Sequence, residues 1–154
     1  MTISLELENT QKLIIQIHRS LFDESPTPMK LQKLCYYAQG YALADSLELF
    51  SEDFQAWQHG PVIPDLYLKY KNYQWRPIND EIIPPELQHH DLIEAVVSAY
   101  GQYDGAALST MTHRETPWLE TRAGLNESDG CDRIITKASI KNFFSKKLKA
   151  SDEH

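Results

Sequence analysis

The residues able to do chemistry in this 154-residue chain are few: two cysteines, six histidines and 22 carboxylates. Cysteine beside histidine makes a nucleophile and its base, so Cys35 with His59 or His113 is one candidate catalytic set. Cys35 lies on an apolar helical stripe, where burial raises a thiol's pKa and leaves it inert, so a core role competes with it. His89-His90-Asp91 are consecutive and sit about a third of a turn apart on a helix, so they do not converge on one metal. Two isolated cysteines, Cys35 and Cys131, make neither a C-x-x-C pair nor a zinc framework. H-E-x-x-H, G-x-S-x-G, G-x-G-x-x-G and G-K-[ST] are all missing from the sequence. The expectation is a protein without catalytic residues, metal or cofactor.

Two short blocks say more than any catalytic pattern. Phe54-x-Ala56-Trp57-x-x-Gly60-Pro61-Val62-x-Pro64-x-Leu66-Tyr67 joins a large aromatic, a turn and a helix whose start proline sets. Leu108-Ser109-x-x-Thr112-His113-x-x-x-Pro117-Trp118 ends one helix in Thr-His and opens the next with Pro-Trp. Tryptophan serves both cores and interface hot spots, and a Thr-His pair suits a helix junction as well as a binding face. Both readings stand at this point for Trp57, Trp118, His59 and His113.

The elements that must carry these blocks follow from periodicity. Leu13, Ile14, Ile17 and Leu21 mark one face of a helix from about Leu7 to Phe22. The stretch 23–28 breaks it; Thr27 then serves as N-cap and Pro28 as first residue of a helix reaching about Asp45. Its stripe is Leu31, Leu34, Cys35, Ala38, Tyr41 and Ala42, and the small residues Ala38 and Gly40 admit a close neighbour. Leu47–Phe50 and Asp53–Trp57 alternate on either side of a polar break, which predicts two small strands or a hairpin. Gly60-Pro61 punctuates, and Pro64 opens a short helix through Leu66, Tyr67 and Tyr70. Residues 72–90, with three prolines and little periodicity, read as a long surface connection.

A helix from about His90 to Tyr103 shows Leu92, Ile93, Val96, Val97 and Tyr100 on one face, and a short one follows through Leu108 and Met111. Thr116-Pro117 repeats the cap of Thr27-Pro28, opening a turn or two that close near Gly124. After a polar loop, 126–132, Ile134-Ile135 reads as a short strand. Thr136 caps a last helix with Ile140, Phe143, Phe144 and Leu148 inward, and 151–154 are expected to fray. The fold class is mainly α: a compact single-domain helical fold with a small β-hairpin. Strands are too few for a Rossmann sheet or a β-sandwich.

Composition bounds the function. With 42% hydrophobic and 24% charged residues the chain can build one ordinary core. No window resembles a membrane span and the first residues lack the pattern of a signal peptide, so a cytoplasmic protein is expected. A net charge of −7 opposes the field that nucleic acid requires and favours basic partners. Lys137, Lys141, Lys146, Lys147 and Lys149 form a local basic stripe, read as a solvated helix face.

Three ordered blocks resemble the Panacea domain, the SocA-like, phage-associated antitoxin domain of bacteria and their mobile elements. They are the run Met29–Gly40, the run Phe54–Tyr67, and Leu108-Ser109 through Thr112-His113 to Pro117-Trp118; the ending Ile134–Thr136 to Phe143-Phe144 also fits. Together they span about Pro28 to Phe144. Cys35 departs from the aliphatic residue expected at its position, which concerns packing. The resemblance implies an antitoxin of a toxin–antitoxin system, carried on a prophage or similar element, that neutralises a cognate toxin from a neighbouring gene by direct protein–protein binding. Carried onto this chain, it offers Lys33, Tyr36, Trp57, His59, Tyr67, His113 and Trp118 as partner-binding residues, and Gly60, Pro61, Pro64, Thr112 and Pro117 as structural ones. It divides the chain into an N-terminal helix and linker, 1–27, and an antitoxin domain, 28–150, with the helix packed on it. No separate DNA-binding domain is evident before Met29, and neither a membrane nor a small-molecule substrate is implied. The alternatives are an adaptor delivering a bound protein to a protease, a small enzyme using Cys35, His59 and His113, and a winged-helix-like DNA-binding regulator.

Overall fold

In a computed structural model of the chain, which describes residues 2–83, 85 and 89–152, helices predominate. The first is α1 (Leu5–Phe22), followed by α2 (Pro28–Ala44). Two strands, β1 (Phe54–Trp57) and β2 (Gly60–Val62), precede α3 (Pro64–Tyr70) and a 3-10 turn, Lys71–Tyr73. Then come α4 (His90–Tyr100), α5 (Gly105–Thr112), α6 (Thr116–Thr121), β3 (Ile134–Ile135) and α7 (Lys137–Asp152). The strands form one antiparallel sheet in the order β2-β1-β3. The fold is mainly α, as the periodicities predict.

The hub is α2. Thr27 caps it, the hydroxyl accepting from the Lys30 N–H at 3.3 Å, with Pro28 in the first turn. Every residue from Leu31 to Gly40 is buried, because α1, α3, α4, α5, α7 and β2 all pack around it. A helix enclosed on all sides must satisfy its polar side chains internally. Gln32 and Gln39, seven residues apart and so on one face, each do this by gripping a loop. The Gln32 amide donates to the Ile63 carbonyl and accepts from the Ile63 N–H. Gln39 likewise donates to the Phe50 carbonyl and accepts from the Leu49 N–H.

That grip explains a departure from expectation. Leu47–Phe50 is not a strand: Gln39 engages the backbone groups of Leu49 and Phe50. The hairpin lies one segment later, β1 with β2, around a two-residue turn, Gln58-His59. Pro61 therefore sits within a strand. It is tolerated because β2 is an edge strand and Pro61 faces Ala56, whose N–H turns the other way to the Arg133 carbonyl.

Close packing on α2 uses Gly40. A Cβ there would lie 2.2 Å from the Phe144 ring of α7, so the missing side chain is what seats that ring. The core continues through Leu13, Ile14, Ile17, Ile93, Val97 and Ile140, so α1, α4 and α7 share it, although Leu21 of α1 is half exposed. Among the described residues, the connection after α3 is irregular, apart from its 3-10 start, yet anchored. Ile78 is buried and bonds its N–H to the Pro26 carbonyl, while Arg19 reaches the carbonyls of Ile78 and Asp80. Part of the expected 72–90 connection lies outside the described residues, as does the end of the 151–154 segment.

Two further boundaries shift. α4 ends at Tyr100, and the Gly101 carbonyl beyond it is taken by Lys30 Nζ at 2.6 Å. At α6 the N-cap position is Glu115, not Thr116, and no side chain caps it. Glu115 instead turns its carboxylate into the core, where Tyr37 donates to it at 2.9 Å. Thr136 does cap α7, accepting from the Ser139 N–H at 3.1 Å.

Candidate functional site

The β1–β2 hairpin is held from behind by side chains of other elements, nearly carbonyl by carbonyl. Arg122 donates to the Ala56 carbonyl at 2.8 Å, and the Trp118 indole N–H to that of Trp57 at 2.8 Å. His113 Nε2 faces the Gln58 carbonyl at 2.7 Å, and the Ser109 hydroxyl donates to the His59 carbonyl at 2.6 Å. Lys33 Nζ donates to the Pro61 carbonyl at 3.1 Å, and Gln32 completes the series at Ile63. Two residues at the turn and three in the strands are thereby tied to α2, α5 and α6. A short hairpin is marginal in isolation, and these bonds, with β3 alongside, fix its geometry.

The helical block explains itself in these terms. Ser109 and His113 are four apart on α5 and its C-cap, so both face the turn. His113 Nδ1 also meets the Ser109 carbonyl at 2.5 Å; a neutral ring donates to one of its two carbonyls at a time, an imidazolium to both. The Trp118 ring lies against His113, centroids 4.0 Å apart, and the Arg122 guanidinium stacks 4.9 Å above that indole. Thr112 is buried and donates to the Ser109 carbonyl.

Gly60 is the pivot of the clamp. Its φ of +112° lies in the region that favours glycine, and a Cβ there would sit 2.7 Å from both Lys33 Cε and Thr112 Oγ1. The invading backbone thus presses directly on the lysine stem and the threonine. Lys33 is 1% exposed, and burial pushes its ammonium down to about 7.

Beside the hairpin, between α2 and α3, opens a cleft of about 350 Å³. Trp57, His59, Tyr67 and Lys33 line it together with apolar Leu31, Val62 and Leu66. Trp57 is partly buried, His59 exposed and Tyr67 43% exposed, with the Trp57 and Tyr67 rings 5.2 Å apart.

Of the seven residues carried over as partner-binding, four therefore gather at the cleft: Trp57, His59, Tyr67 and Lys33, the last as a buried part of its wall. His113 is half-buried behind the turn. Tyr36 and Trp118 lie in the interior, Tyr36 with its hydroxyl unpartnered among the described residues. Tyr36 packs edge-on against Phe54 and Phe144, so its place is the core, and that of Trp118 the clamp. Among the structural residues, Gly60, Pro61, Thr112 and Pro117 are buried, while Pro64 opens α3. Sequence reasoning does not single out Arg122 or Glu115. Arg122, 4% exposed, also donates to the Asn126 and Asp129 carbonyls, closing the loop after α6. Nothing in its sequence neighbourhood marks it. Burial pushes the Glu115 carboxyl up to about 7, and its second oxygen has no partner among the described residues.

The catalytic alternative finds little geometric support. Cys35 is buried, burial drives its thiol up, and no hydrogen bond joins it to His59 or His113 among the described residues. No group of three or more His, Cys, Asp or Glu able to hold a metal ion occurs among the described residues. No helix among them is long and apolar enough to cross a membrane. On α7, Lys137 pairs with Asp53 at 2.6 Å, Lys141 reaches Ser46, and Lys147 lies over the rings of Tyr37, Tyr100 and Phe143. Three of the five stripe lysines thus serve intramolecular contacts.

Comparison with known proteins fits this arrangement. The family model described as Antitoxin SocA-like, Panacea domain, matches residues 31–119. The chain belongs to the SocA-like Panacea family. It is 31% identical to Antitoxin SocA of Caulobacter vibrioides (strain NA1000 / CB15N), over 70% of this chain and 68% of that one. No solved structure matches it. The Panacea match runs from the first buried turn of α2 into α6. It takes in Gln32, Lys33, the whole hairpin, Ser109, Thr112, His113 and Trp118, and so contains the clamp apart from Arg122.

Proposed function

We propose that this Panacea protein is the antitoxin of a toxin–antitoxin pair, that it neutralises its cognate toxin by direct binding, and that it acts in the cytoplasm beside that toxin. Family membership supports the antitoxin role. The observation that carries the binding mode is the clamped hairpin, which presents Trp57 and His59 beside Tyr67 of α3 at the mouth of a preformed cleft. A surface ordered before binding loses little entropy on docking, and large aromatic side chains are the usual energetic anchors. The gene beside this one is the natural source of the toxin.

The test is co-expression. The adjacent reading frame is induced with and without this protein while growth and complex formation are followed. Growth arrest relieved by this protein, with both chains co-purifying intact, is the expected result. Relief accompanied by loss of the toxin itself would instead favour the adaptor role. No arrest from the neighbour, and no rescue, would sink the antitoxin reading. Trp57→Ala and Tyr67→Ala, which remove surface rings, are each expected to weaken the complex by about 2 kcal/mol, roughly 30-fold, in a calorimetric titration. Trp118→Ala is a folding variant, since its indole holds the hairpin.

A further inference from the structure

The cleft beside the hairpin has a charge opposite to that of the chain. The protein carries −7 overall, yet no aspartate or glutamate lines the cleft among the described residues, whereas Lys33, Lys71 and His59 do. Lys33 has one hydrogen-bond partner, the Pro61 carbonyl, and no ion pair among the described residues. Two of its three N–H groups are therefore left for another acceptor, at the end of a buried stem that forms part of the cleft wall. Burial without a counter-charge is costly for an ammonium, and an incoming carboxylate relieves that cost. Apart from Gln32, whose amide is taken by Ile63, and Gln74, the remaining walls are apolar or aromatic, suited to a large side chain beside the charge.

Building on the antitoxin reading, we propose that this cleft receives an acidic segment of the toxin. In it a carboxylate lies next to a large apolar side chain: Lys33 and Lys71 meet the carboxylate, and Trp57, Tyr67 and Leu66 enclose the apolar group. The net charge of the antitoxin suits a toxin that is basic overall; the cleft selects the one acidic stretch within it. Charge complementarity of opposite sign at two places on one interface fixes register as well as speeding encounter.

Two blocked dipeptides that differ by one charge, N-acetyl-Phe-Asp-amide and N-acetyl-Phe-Asn-amide, are titrated into the full chain and followed by backbone-amide NMR. Lys33→Met keeps the bulk of the stem and removes the ammonium. Lys71→Glu reverses the charge at an exposed rim position without touching the core, and so decides the matter even if the first variant fails to fold. The aspartyl dipeptide is expected to shift the amides of Lys33, Val62 and Leu66 and to bind at least fivefold more tightly than the asparaginyl one. Both substitutions should abolish that preference, and both should weaken capture of the co-expressed toxin at least tenfold. Equal affinity for the two dipeptides, or a preference unchanged in the variants, overturns the proposal. Acetate binding as tightly as the aspartyl dipeptide also overturns it, the cleft then being a small-anion site. Full toxin capture by both variants overturns the docking site and leaves the antitoxin reading intact; a wild-type chain that captures no toxin overturns both.

Discussion

Lys33 and Glu115 are buried ionisable groups whose shifts run in opposite directions along the pH axis. Folding raises the Glu115 carboxyl from 4.5 to about 7. Between those values the folded chain binds more protons than the unfolded one, so stability falls as pH rises. Folding lowers Lys33 from 10.5 to about 7, so in that window the unfolded chain binds more protons and stability rises with pH. Together they place a stability minimum near pH 7, each arm no steeper than about 1.4 kcal/mol per pH unit. His18, lowered by burial, adds a slope opposite to that of Glu115 below 6.5, so the comparison is between variants. Glu115→Gln, which keeps an acceptor for Tyr37, is expected to remove the acid arm, and Lys33→Met the alkaline one. Denaturant midpoints measured from pH 5 to 9 check this; a Glu115→Gln profile parallel to wild type contradicts it. Gly60→Ala meets a positive φ and two contacts at 2.7 Å, and should cost at least about 2 kcal/mol in the same assay.

Two contacts between elements govern how the helices and hairpin assemble. Gly40 admits the Phe144 ring, so Gly40→Ala drives α7 away from α2 at an expected cost of at least about 2 kcal/mol. The hairpin depends on α5 through Ser109 and His113. A double substitution, Ser109→Ala with His113→Ala, leaves the Gln58 and His59 carbonyls to water. Expected is faster amide hydrogen exchange across Phe54–Val62 with α2 and α4 unchanged, because the loss is local. Exchange that accelerates equally throughout the chain would show that the clamp is part of the global core instead.

At the scale of the molecule, the family match and the folding unit differ. The match ends at residue 119, but Ile135, Ile140 and Phe144 are fully buried, and α7 is the element most extensively packed on α2. A fragment of residues 28–124 exposes the face of α2 that Tyr36 and Tyr37 share with Phe144. It is expected not to fold, shown by loss of cooperative thermal unfolding in circular dichroism. A cooperative transition in that fragment would refute the claim that α7 completes the core. Loss of α1 is expected to have a similar effect, since Leu13, Ile14 and Ile17 are part of the same cluster.

Local patterns were enough to place the helices, because amphipathic spacing and caps such as Thr27-Pro28 and Thr136 act within a few residues along the chain. The same holds for the three blocks of the family and for the room that Gly40 leaves. The hairpin's position was not legible. Leu47–Phe50 alternates as a strand should, and what withdraws it from a sheet is Gln39, whose amide takes backbone groups ten and eleven residues away. Which motif residues face outward was equally hidden. Trp57 and Trp118 have the same chemistry in the sequence, yet the indole of one bonds the carbonyl of the other, and only one of the two rings lines the cleft. Periodicity reports which side of an element meets the core, whereas the partner of each buried polar group is chosen by elements distant in sequence. The cleft, its basic lining and the Arg122 clamp therefore exist only in the assembled fold.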